Sequence, residues 1–213
     1  MDFEMTDDRD PLPAINGESL IQSIERYWRE LGGHHGLPHR ADVDPARIDA
    51  ALPWSFILER VATGHARLRV SGQQLNDLAQ MDTRGMPLSV FFTPEARPTL
   101  ERLLAHCFDL PAIVDVPVLS PRSLTRHKLT GRMILLPLAN RPGAPERALG
   151  ALFADGARGR SARHFGIPED ETHRIVPVTQ PRTLLRALSG GARSQQIAGP
   201  APRPALRLIV NNG

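Results

Sequence analysis

Trp54-Ser55-Phe56-Ile57-Leu58-Glu59-Arg60-Val61, followed by Ala62-Thr63-Gly64 and then His65-Ala66-Arg67-Leu68-Arg69-Val70-Ser71, decides the fold. The first run is apolar, aromatic and β-branched, and reads as a strand. The second alternates, sending Ala66, Leu68 and Val70 one way and His65, Arg67, Arg69 and Ser71 the other. A link as short as Ala62-Thr63-Gly64 makes the two runs an antiparallel hairpin. A hairpin with one apolar and one charged side must lie on a core with its other side toward water.

Working downstream, Gly72 ends the second strand, and Leu75, Leu78 and Ala79 set a short helix over 73–81. Thr83 to Pro87 is a turn, and Leu88 to Phe92 an apolar link. Thr93-Pro94-Glu95 opens a longer helix with Leu100, Leu103, Leu104 and Cys107 on one face. Pro98 falls in its second turn, which displaces the start by a few residues. Strands follow at 112–119, 129–138 and 148–153. Pro137 favours an edge or a strand end for the second of these.

Upstream, Asp44-Pro45 opens a short helix that Pro53 ends. Before it, Ser19 and Gln22 form a capping-box pattern. The helix they open carries Leu20, Ile21, Ile24, Tyr27, Trp28 and Leu31 in one apolar stripe, and Gly32-Gly33 stops it. So large a stripe must be covered, by the rest of the chain or by a second copy. The order of elements predicts an α+β domain, an antiparallel sheet with helices packed on one face.

The chain has 213 residues, 41% hydrophobic and 23% charged, which suits one globular core and excludes wholesale disorder. Cys107 is the sole cysteine, which excludes an internal disulfide and a multi-cysteine metal site. No apolar run reaches the roughly 18 residues of a membrane span. The acidic N-terminus lacks the basic, then apolar, pattern of a secretory signal, so a cytoplasmic setting is expected. Residues 1–18 read as a flexible acidic leader, 19–153 as the domain, and 154–213 as a basic, Gly/Pro-rich extension with short strands at 173–179 and 206–210. Residues 157–213 hold nine arginines against Glu169, Asp170 and Glu171. This imbalance admits a nucleic-acid or anionic-surface binder as the alternative function. Against it, aromatics are only 5% and are not interleaved with the basic residues.

Enzymatic motifs are absent. There is no Gly-x-Ser-x-Gly elbow, phosphate loop with lysine, or His-Glu-x-x-His. His34-His35-Gly36-Leu37-Pro38-His39 holds three imidazoles in a loop, without ligand spacing on a regular element, so no metal site is assigned. A non-enzymatic protein is expected.

Several segments together resemble the PAS domain, and more narrowly the small single-PAS proteins common in alphaproteobacteria. They are Arg26-Tyr27-Trp28, the run Ala41 to Ile48 with Asp44-Pro45, Leu52-Pro53, Arg69-Val70-Ser71-Gly72, Arg84-Gly85, Ile134-Leu135-Leu136-Pro137-Leu138 and Leu149-Gly150-Ala151. The resemblance spans roughly residues 20–153. Asp44, Pro45, Arg69, Gly72, Gly85 and Pro137 are the motif positions. It implies a five-stranded antiparallel sheet, a small cavity between sheet and helices, and dimerisation through the leading helix at Ile24, Tyr27, Trp28 and Leu31.

The large apolar residues suited to such a cavity are Trp54, Phe56, Leu75, Phe91, Leu104, Cys107 and Ile134. No cofactor is indicated. His106 lies roughly 100° from the buried Cys107 on its helix, a poor position for a haem ligand. Cys107 also lies outside the Asn-Cys-Arg-Phe motif of light-sensing flavin members. Relatives often carry an acid where this chain has Arg132, which leaves Arg69 to another partner or to water. The implied role is sensory and regulatory, exerted on a signalling protein such as a histidine kinase or regulator, by a homodimer whose cavity ligand shifts its conformers.

Overall fold

The computed structural model describes residues 17–33, 36–122, 127–139, 145–156, 161–169 and 173–178. Helix α1 (Gly17–Trp28) begins two residues before Ser19. Ser19 is therefore inside the helix rather than its cap, and Gln22 bonds back one turn to Glu18. A wider turn over Arg29–Gly33 ends the helix, with Gly32 at φ 110°. This left-handed conformation is one that glycine alone adopts without strain.

The hairpin forms as β1 (Ser55–Ala62) and β2 (His65–Ser71). Helix α2 (Gln73–Ala79) follows, then α3 (Arg97–Phe108). Thr93-Pro94-Glu95 opens a 3-10 turn, and α3 proper starts at Arg97. Pro98 thereby occupies the second helical position, where its missing N–H removes no helical bond. The remaining strands are β3 (Ala112–Ser120), β4 (Leu129–Leu138), β5 (Arg147–Asp155) and β6 (Arg174–Pro177).

All six join in one antiparallel sheet, ordered β2-β1-β5-β4-β3-β6. The sheet has one strand more than the five expected. The addition is β6, which pairs with Ala112–Asp115 on β3 and comes from beyond residue 153. The other expected strand, at 206–210, lies outside the described residues, as does most of the leader.

Pro137 lies in an interior strand, yet at its end. Pairing of β4 with β3 stops at Leu135, so no ladder bond from β3 is lost at Pro137. Pro117 uses the same device, since β6 pairs with β3 only as far as Asp115.

Helices cover both faces of this sheet. The inner face, on which α3 packs, presents Phe56, Leu58, Leu68, Val114, Leu135 and Leu152, and all are buried. Leu100, Leu103, Leu104 and Cys107 close on it from α3, as their spacing requires. The opposite, outer face is covered over β4 and β5 by α1. There Gly17 lies so close to the Phe153 ring that a Cβ would meet it at 2.1 Å. Trp28, fully buried, donates its indole N–H to Pro137 O at 2.9 Å. The α1 stripe is thus covered by this chain's own sheet, which answers the question its sequence left open.

Candidate functional site

The outer face of the sheet has two halves. Under α1, an acid–arginine cluster joins elements that are remote in sequence. Asp115 on β3 is buried and sits directly opposite Arg174 on β6. Asp115 accepts from Arg132 at 2.7 Å through Oδ1 and from Arg174 at 3.0 Å through Oδ2. Arg174 also donates to Glu25 on α1, which accepts from Arg29 at 2.6 Å. Burial alone would raise the Glu25 pKa, but hydrogen bonds from Arg174 and Arg29 outweigh it and hold the carboxyl below its ordinary value. The same pairing with Glu25 and Asp115 raises Arg174. This cluster seals α1 onto the sheet.

Among the described residues, no helix lies over the other half, above β1 and β2. Its shape comes from a β-bulge. Ile57 pairs with Val70 while Leu58 pairs with Leu68, so Arg69 is an extra residue in β2. Strict alternation would send Val70 inward with Ala66 and Leu68. The extra residue instead turns it outward beside Arg69, and Val70 is 52% exposed. Arg69 does find a partner, answering the question raised by Arg132. Its Nη2 donates to Glu59 Oε1 at 2.7 Å, and Arg67 Nε donates to Glu59 Oε2 at 2.8 Å. Arg147 on β5 stands 3.9 Å from the same carboxylate. Hydrogen bonds from Arg69 and Arg67 pull Glu59 down to about 2. One acid thus faces three arginines, and the patch keeps surplus positive charge.

Next to this patch lies an open groove of about 530 Å³, bounded by the 40–54 segment, the ends of β1 and β2, and Leu149 of β5. Of the seven predicted cavity residues only Phe56 lines it. Leu75, Phe91, Leu104 and Cys107 are buried on the inner side, where burial raises the Cys107 thiol pKa. Trp54 and Ile134 do not join them. The Trp54 ring packs on Phe153 at 4.8 Å between centroids, on the α1 side. Ile134 pairs with Asp115 and Ala151, which places it on the outer face. The seven residues therefore do not form one wall.

Ile24, Tyr27 and Trp28, expected at a dimer interface, are buried within the subunit, and Leu31 packs partly buried against the same core. Tyr27 Oη accepts the Asp44 N–H at 2.6 Å. The motif residues shape the frame. Asp44 caps the 3-10 turn after it by accepting from Ala46 N at 3.0 Å, with Pro45 at the turn's first position. Gly72 lets two chain segments meet, since a Cβ there would lie 2.3 Å from Pro53 O. Gly85 turns the chain at φ 82° and donates its N–H to Leu68 O at 2.7 Å. Pro137 receives the Trp28 bond.

This frame agrees with a family model described as PAS domain, which matches residues 17–153. The chain belongs to the PAS domain family. No curated protein and no solved structure matches it. In this PAS domain the matched region ends inside β5, so β6 and its Arg174 clamp lie beyond the family match.

Among the described residues there is no cluster of three or more histidine, cysteine or carboxylate side chains placed to hold a metal. No helix among them is long and apolar enough to cross a membrane. His39 is exposed, and His34 and His35 lie outside the described residues. Two of the nine arginines counted for a basic tail are turned to structural use. Arg174 is in the clamp, and the buried Arg163 donates to His127 O at 3.1 Å.

Proposed function

We propose that this PAS domain is a non-catalytic regulatory module that works by protein contact through the open half of its outer face. The supporting observation is the bulge in β2. It sets Arg69 and Val70 side by side at the surface, next to Arg67 and Arg147, with Glu59 the one acid among the described residues that pairs with them. An apolar contact ringed by under-neutralised arginines suits a partner surface with its own acidic rim. The partner is a signalling protein such as a histidine kinase or regulator, met in the cytoplasm. The domain unit is residues 19–153 together with the β6 segment. Self-association as a homodimer would use a surface other than the Ile24–Tyr27–Trp28 stripe, which is already buried.

The test is site-specific photocrosslinking in the native host. A benzophenone amino acid replaces Arg67 on the open face or Glu101 on the exposed side of α3. Adducts to a signalling protein from position 67 and none from position 101 support the proposal. Adducts from 101 alone refute it.

A further inference from the structure

We infer that the groove beside the bulge binds a small apolar carboxylate, an unbranched alkyl acid, with Arg40 receiving its head. The groove of about 530 Å³ is within the usual range for small-molecule sites, about 300–1,000 Å³. Its walls include Ile48, Leu52, Ile57, Val70 and Leu149. Leu52 and Val70 are 42% and 52% exposed, so apolar surface stands open to water there. An alkyl chain laid along these residues would remove that surface from water.

The head group follows from Arg40, which lines the same groove. Its Nε is buried without a hydrogen-bond partner among the described residues. The residue is held in place by its own backbone, with N–H donated to Ala139 O at 3.0 Å. The side chain as a whole is only partly buried, and its guanidinium forms no ion pair with any acid among the described residues, so a ligand carboxylate in the groove would supply the missing counter-charge. Among the other polar side chains at the groove, Ser71 accepts from the Thr83 hydroxyl at 2.7 Å, and Asp49 is the one acid, engaged through a single oxygen. Asp49 accepts from Ala50 N at 2.7 Å, Ser55 donates to Ala51 O at 2.8 Å, and Gln73 donates to Asp77 at 2.9 Å. Arg40 is therefore the group that selects a carboxylate over a neutral amphiphile. The site is outside the sheet, apart from the inner core between sheet and α3. It shares Val70 with the proposed partner surface, but titration of the chain alone reads ligand binding independently of any partner.

Calorimetric titration of the full chain with decanoate, beside decanol as the neutral control, tests this. Decanoate should saturate at one molecule per chain and bind at least tenfold more tightly than decanol. Arg40→Gln should weaken decanoate at least tenfold and leave decanol unchanged. Val70→Glu, at an exposed rim position, should weaken both ligands without changing the melting temperature. Absence of saturable decanoate binding overturns the inference. So does binding that is indifferent to Arg40→Gln, or binding that survives Val70→Glu.

Discussion

Two acid–arginine clusters occupy one face of one sheet, and they do opposite things. Beneath α1, Asp115 and Glu25 engage Arg132, Arg29 and Arg174, joining residues up to 149 positions apart. Over β1 and β2, Glu59 holds Arg67 and Arg69, its neighbours by 8 and 10 positions. The first cluster is roofed by a helix whose Trp28 and Ile24 are fully buried. Among the described residues, nothing roofs the second. A closed cluster fixes tertiary structure, since breaking it strands charge in a poorly solvated place. An open one contributes little to stability and remains available to a partner.

Truncation beneath α1 should have the largest effect. Trp28→Ala removes a buried indole and its bond to Pro137 O, and should cost about 3–5 kcal/mol in urea unfolding followed by circular dichroism. A loss near zero would mean that α1 is not docked in solution. Asp115→Asn should cost about 1–3 kcal/mol in the same measurement, because Arg132 and Arg174 lose a buried partner but are themselves partly hydrated.

The open cluster should respond more weakly. Glu59→Gln should cost less than about 1 kcal/mol at neutral pH. Its pH dependence has a definite sign. Glu59 is depressed to about 2 when folded, from an ordinary value near 4.5. Its stabilisation is therefore fully present above pH 4.5 and is lost as pH falls toward 2. The stability gap between wild type and Glu59→Gln should close across that window, and a constant gap would show that the arginine pairing does not form. The inner face should show no response at all. With its thiol buried and its pKa raised, Cys107 should resist thiol-specific labelling until the chain unfolds. Rapid labelling of the native protein would mean that the inner core opens.

The hairpin was legible because Gly64 and Gly72 punctuate it and His65 to Ser71 alternate between them. β2 and β4 keep the bounds their sequence predicts. The bulge was not legible. It inserts one residue without altering composition, and only pairing with β1 shows that Arg69 is the extra one. Glu59 as the partner of Arg67 follows once the hairpin register is known, since the two are directly opposite. The face to which Ile134 belongs was hidden for another reason. β4 is buried on both sides from Met133 to Leu138, so its sequence carries no alternation to read. The groove draws on the 40–54 segment and three strands, and no local pattern announces such a meeting. The α1 stripe needs cover on its sequence alone, but periodicity does not say whether a sheet or a second chain supplies it.

The central claim is that the open half, not the roofed half, is where this PAS domain meets its partner. The most direct measurement is the affinity of the photocaptured partner for an Arg67→Glu, Arg69→Glu double variant, with far-UV spectra to check the fold. The account predicts at least a tenfold loss of affinity, growing as salt is lowered, with the fold intact. Unchanged affinity for a well-folded variant would contradict it.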